Sequence, residues 1–178
     1  RGLETLTLAD IERDVLEVMR SGKPIPPGPL RERIQAYVAR NRPALALLRQ
    51  AVERGQLGRG EPNVKKELDV PSLPLTMLVS LSAGLSAGEG DLRGAVDQLN
   101  VLVRFGGMLC RSEAGSSLYF QGLSFQRYAA AEMRHLAANY EIPEEVVRPF
   151  LDVLDENMPS ARQLAQHLRA EFHGMVLP

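Results

Sequence analysis

The stretch LPLTMLVSLSAGLSAGEGDLRGAVDQLNVLVRFGGMLCR, residues 73–111, decides the fold. Its first half places Leu75, Leu78, Val79 and Leu85 at helical spacing. Its second half places Leu92, Ala95, Val96, Leu99, Val103, Gly106 and Cys110 on one face, the i, i+3, i+4, i+7 recurrence of a buried stripe. Between them Gly88-Glu89-Gly90-Asp91 predicts a tight turn. Asp91 suits an N-cap, because its carboxylate can accept from the free amides of the next turn. Gly88 and Gly90 suit the positive backbone angles that end a helix. The stretch is therefore an antiparallel helical hairpin, with the other helices added to either side.

Working outward, Thr7-Leu8-Ala9-Asp10 resembles a capping box and opens a helix with Leu8, Ile11, Val15 and Met19 inward. Ser21-Gly22 closes it, and Lys23-Pro24-Ile25-Pro26-Pro27-Gly28-Pro29 cannot be regular helix. Residues 1–28 thus read as an N-terminal helix and Pro-rich linker, and residues 29–178 as one helical domain. A short helix turns Leu30, Ile34, Tyr37 and Val38 to one side. Asn41 caps the next, which tolerates Pro43 in its first turn and runs through Leu45, Leu48 and Val52 to Gly55. Residues 56–71 are polar, rich in Gly and Pro, and without a period, the marks of a long loop. Beyond the hairpin, Glu113 to Ser117 makes a turn before a long helix that buries Leu118, Gly122, Phe125, Ala129, Met133, Leu136 and Tyr140. Pro143-Glu144-Glu145 starts another, its acids placed where the helix dipole favours them, with Val147, Phe150, Leu151 and Leu154 inward. A last helix from Pro159-Ser160 turns Ala161, Leu164, Ala165, Leu168 and Phe172 inward. No segment alternates with period two. The expected class is all-α, seven to eight helices in antiparallel hairpins, either TPR-like or an irregular helical bundle.

Composition agrees with this class and bounds the function. A chain of 178 residues with 44% hydrophobic and 24% charged residues can bury a core as one domain. Leu and Ala dominate the apolar set and Trp is absent, which favours helix over sheet. A net charge of -1 gives no general pull towards nucleic acid or anionic lipid, and acidic residues break up the cluster of Arg31, Arg33, Arg40 and Arg42. Cys110 is the single cysteine, so neither an internal disulfide nor a cysteine zinc site can form. The chain starts at Arg1, which is compatible with processing and with an anchor upstream.

The hairpins are similar in general shape to the helix-turn-helix units of tetratricopeptide solenoids, Gly90-Asp91 followed by Ala95 being the nearest point. The full repeat signature and a fixed period are missing. From about Asn41 onward the chain also resembles a group of uncharacterised bacterial helical proteins found in planctomycete-like genomes. The matching residues are residues 44–51, the Glu89-Gly90-Asp91 turn with Ala95 and Leu99, and Ala170-Glu171. This resemblance implies a helical fold and an exported or cell-envelope location, with the cytoplasm as the alternative. It implies no active site.

Motifs that could carry chemistry have simpler structural readings. Gly84-Leu85-Ser86-Ala87-Gly88 matches the G-x-S-x-G nucleophile elbow, which needs a strained strand-to-helix turn above a parallel sheet. No strands are found for that sheet, so these are small residues at a helix end. Residues 70–88 are uncharged and near membrane-spanning length, but their prolines, serines and glycines favour a buried helix. Glu132 and His135 form a Glu-x-x-His pair on one helix face. Di-iron bundles need two such pairs and two further glutamates, and only one pair exists, so a surface ion pair or hydrogen bond is expected. His167, Glu171 and His173 share the last helix without an H-E-x-x-H pattern. Cys110 on the buried stripe reads as a small core residue. Residues 118–122 resemble the site of a tag-removing viral protease, but the helical pattern runs through them and they read as native.

With no assembled catalytic set and no cofactor fingerprint, the expected function is a non-enzymatic interaction or scaffold module that takes a protein or peptide partner. Tyr119, Phe120, Arg127 and Tyr128 are the candidate partner-binding residues, being of the types enriched at binding hot spots. Nucleic acid is not an expected partner, and membrane contact is expected only through an upstream anchor. The alternative is a helical pocket for a lipid or other apolar ligand, left by the small residues Gly84, Gly106, Gly107 and Gly122.

Overall fold

In the computed structural model, residues 13–55, 72–112, 116–160 and 162–165 are described. They form seven helices: α1 (Arg13–Ser21), α2 (Pro29–Arg40), α3 (Arg42–Arg54), α4 (Ser72–Gly88), α5 (Leu92–Arg111), α6 (Ser116–Asn139) and α7 (Glu144–Asn157). A further helical turn covers residues 162–165, and no strand occurs among the described residues. The protein is all-α. The expected capping box at residues 7–10, the inward Leu8 and Ile11, the loop at 56–71, and Ala161, Leu168 and Phe172 lie outside the described residues.

Helix α5 is the axis, because α3, α4, α6 and α7 all pack on it. Every inward position expected on α5 is buried except Leu92, which is half-buried. Its start is as the sequence implies: Gly94 N donates to Asp91 Oδ1 at 2.9 Å. The turn before it differs in one detail, since Gly90 adopts a positive φ of 85° while Gly88 remains helical. Two facing glycines let α5 and α6 meet closely. A Cβ on Gly106 would lie 2.6 Å from the Gly122 carbonyl, and one on Gly122 would overlap the Gly106 carbonyl and come 2.6 Å from Cys110 Sγ. Beside this contact the Phe105 and Phe125 rings meet edge to face with centroids 5.5 Å apart.

The main core joins α3 to α7 and includes the fully buried Leu99, Leu102, Val103, Leu109, Phe125 and Phe150. A second cluster holds Val15 of α1, Ile34, Tyr37 and Val38 of α2, Ala44 of α3, and Leu78, Leu81 and Leu85 of α4. Ile25 of the Pro-rich linker packs against it too. Helix α4 is buried nearly all round, because it stands between the two clusters. That explains its near-continuous apolar sequence. Asn41 departs from its expected role: its side chain makes no cap to α3 and instead donates to the Tyr37 carbonyl at 2.9 Å, closing α2.

Helix α7 is the clearest departure. Of the expected inward set, Phe150 is buried and Val147 and Leu154 pack partly buried against the core, but Leu151 is 51% exposed, while Val146, Val153 and Asn157 are buried as well. The helix is thus rolled from the expected phase, and polar bonds fix that roll. Gln126 Nε2 donates to the Asn157 carbonyl at 2.6 Å, and an Arg111 guanidinium nitrogen donates to Asn157 Oδ1 at 3.2 Å. Asn157 also rests on Gly107, where a Cβ would meet its Oδ1 at 2.5 Å.

Gly122→Ala is expected to destabilise the fold by about 1–3 kcal/mol, the usual cost of overpacking, although Ala is the better helix former. A lowered urea midpoint at unchanged m checks this. An unchanged midpoint would show that α5 and α6 can separate freely.

Candidate functional site

Two regions outside the core carry polar or aromatic groups that packing does not require. The first is the outer face of α6. Residues 120, 124, 127, 128 and 131 follow one another at helical spacing on the side turned away from the core, and Phe120, Ser124, Arg127 and Tyr128 are exposed. Phe120 is 51% exposed and Tyr128 47% exposed. Tyr119 is not part of this face. It is buried, its carbonyl accepts from the Cys110 thiol at 3.4 Å, and its ring meets that of Phe120 edge to face at 5.7 Å. The four expected residues therefore divide into three on the surface and one inside, because adjacent positions on a helix point about 100° apart.

The second region is a cleft of about 50 Å³ where the end of α1 and the linker cross α4 and α6. Met19, Ile25, Leu81 and Leu136 give it apolar walls, and Ser80, Glu132 and His135 give it polar groups. The linker is held by Asn139, whose Nδ2 donates to the carbonyls of Gly22 and His135, each at 2.7 Å. Gly22 has a φ of 62°, and a Cβ there would run into the His135 ring. Only glycine serves both the turn and the close approach.

Glu132 is half-buried in this cleft, and desolvation raises its pKa above the ordinary carboxylate value. The nearby His135 and the Ser80 hydroxyl act the other way, favouring the ionised form, without overcoming burial. Among the described residues no Lys or Arg lies within ion-pair distance of Glu132. Ser80 is only 5% exposed, and its Oγ lies near the carboxylate without closing a hydrogen bond. The Glu-x-x-His spacing was visible in the sequence. Ser80 and Gly22 were not, because they come from distant segments and are of types common in any helix or turn.

The remaining motifs take structural roles. Ser86 of the G-x-S-x-G match sits in the last turns of α4, where Gln98 Nε2 donates to its Oγ at 3.0 Å, so no strand-to-helix elbow exists there. Among the described residues no group of three or more His, Cys, Asp or Glu could hold a metal. His167, Glu171 and His173 lie outside the described residues. No helix among the described residues is long and apolar enough to cross a membrane. Gly106, Gly107 and Gly122 are each met closely by a neighbouring side chain or backbone and serve close approach, whereas Gly84 lines the cleft, where a Cβ would lie 3.2 Å from Ile25. Comparisons with protein-family models, with curated proteins and with solved structures find no match.

Two predictions follow from burial. Desolvation pushes the Cys110 thiol up to about 11, with Arg111 opposing weakly. Labelling by a thiolate-specific disulfide reagent at pH 8 should be slower in the native protein than in urea by roughly two orders of magnitude or more. Fast native labelling would contradict the packing of α5 on α6. For Glu132, a raised native pKa means that the folded chain holds this proton more tightly than the unfolded one. Its contribution to stability is full below the ordinary carboxylate pKa and is lost as pH rises through the native value. Glu132→Gln should therefore raise Tm at pH 7, with the gain vanishing as the pH falls towards 4. A pH-independent difference would remove desolvation as the cause.

Proposed function

We propose that this chain is a non-enzymatic helical interaction module whose outer α6 face takes a protein or peptide partner. The observation that carries this reading is Phe120, an aromatic side chain half in water on a face it shares with Arg127 and Tyr128. A single exposed apolar residue is ordinary on a protein surface. An exposed Phe and Tyr with an Arg between them is the composition of binding hot spots, where rigid aromatic area is buried at small entropic cost. The rigid α5–α6 pair behind this face supports the reading, because a preorganised surface loses little freedom when it binds. A partner segment with apolar side chains for Phe120 and Tyr128 and a carboxylate for Arg127 fits the face.

Site-specific photocrosslinking in the native host tests this. A photoreactive phenylalanine at position 120 or 128 should yield a crosslinked species of one defined mass. The same group at the exposed Gln35 of α2 should not, and Arg127→Glu should suppress the product. Equal crosslinking from positions 35 and 120 would overturn the reading. With the partner in hand, Phe120→Ala should weaken binding by about tenfold or more while leaving Tm within about 1 °C.

A further inference from the structure

The cleft under the linker has features that the fold alone does not call for, and it is separate from the α6 face. A half-buried carboxylate without a cationic partner weakens a fold, since burial disfavours its charge. Glu132 is such a group, and it lines the cleft together with the imidazole of His135 and with Ser80 Oγ, which is buried without a hydrogen-bond partner. The carboxylate and the hydroxyl bring hydrogen-bond acceptors to one cleft. Met19, Ile25, Leu81 and Leu136 line the same cleft with aliphatic surface.

We propose that this cleft binds a primary ammonium group carried on an aliphatic stem, with Glu132 as its counter-ion. The chemistry of the walls selects this ligand. An ammonium supplies three donors and no acceptor, which matches an acceptor-only carboxylate and a hydroxyl oxygen beside it. An anion would meet Glu132 as a like charge. A divalent metal would find a single carboxylate and a single imidazole, fewer strong ligands than stable sites use. The volume of about 50 Å³ would take about three or four water molecules, which is room for an ammonium head and its first methylene. The rest of the stem would then run along Leu136 and Ile25, as lysine stems do on apolar surface. Lys23 also lines the cleft but is exposed and makes no ion pair with Glu132, so the charge remains available to an external cation.

The ligand can be a lysine side chain of a polypeptide or a free aliphatic amine. Titration of the 15N-labelled full chain at pH 7.5, followed by two-dimensional NMR, tests the site and separates these sources. n-Butylammonium chloride should produce saturable shifts confined to residues around 80, 132 and 136. n-Butanol at the same concentrations, alike in shape but uncharged, should not. Glu132→Gln should weaken the response by roughly tenfold, the worth of one charge-assisted contact in a half-buried site. Ser80→Ala, a second and smaller change, should weaken it by less. Phe120→Ala should leave it unchanged, which separates this site from the partner face. If Nα-acetyl-lysine N-methylamide binds more tightly than butylammonium, the source is a polypeptide lysine. If it binds more weakly, the source is a free amine. Absence of saturable shifts, an equal response to butanol, or full retention of binding in Glu132→Gln would overturn the proposal.

Discussion

The backbone approach of α5 to α6 at Gly106 and Gly122 sets the spacing on which the rest of the molecule is built. With no Cβ on either side, each glycine nearly touches the carbonyl of the other. The long α6 can then lie along α5, and the Phe105–Phe125 ring contact and the buried Cys110 fill the space next to it. Glycine within a helix costs backbone entropy, so its presence here reflects the gain in contact along both helices. Helices α3, α4 and α7 take the remaining sides of α5. A wider gap between α5 and α6 would loosen all of them together.

Hydrogen bonds then settle what apolar packing leaves open. An amphipathic helix can roll on a greasy surface with little loss, because the hydrophobic effect has no direction. Helix α7 is prevented from rolling by Asn157, which is bonded to Gln126 and Arg111 and seated on Gly107. The same logic holds at the other end of α6, where Asn139 fixes the linker through two carbonyls. Glu132 stands apart from these groups, since its burial lowers stability at neutral pH.

The amino-acid sequence reveals this architecture unevenly, for physical reasons. The α5 stripe is legible because one face is apolar and the other carries Asp97, Arg93 and Arg104, so only one phase buries well. The phase of α7 is not legible, because Leu151 and Val153 compete and the winner depends on polar partners on α5 and α6. On α6, exposed Phe120 and buried Tyr119 are neighbours of similar character, and only the direction of α5 tells them apart. The Glu132–His135 pair is legible as a spacing. Its setting is not, because Gly22 and Ser80 reach it from segments 110 and 52 residues away along the chain.

The linker between α1 and α2 has a consequence for the shape of the cleft. Helix α1 is short and touches the rest mainly through α2 and α4. Its grip on α6 comes from Gly22 and Asn139. Such an element would dissociate readily as a free peptide. Here it is joined to α2 through Pro24, Pro26 and Pro27, whose fixed φ angles stiffen the segment ahead of the bend at residues 27–28. A stiff tether of matching length holds the helix near its seat at high effective concentration, so few contacts suffice to keep it docked. Because Met19 of α1 and Ile25 of the linker are walls of the Ser80–Glu132 cleft, the cleft keeps its shape only while this segment stays docked. The tether thereby makes the geometry of the cleft depend on a handful of contacts at one edge of the molecule.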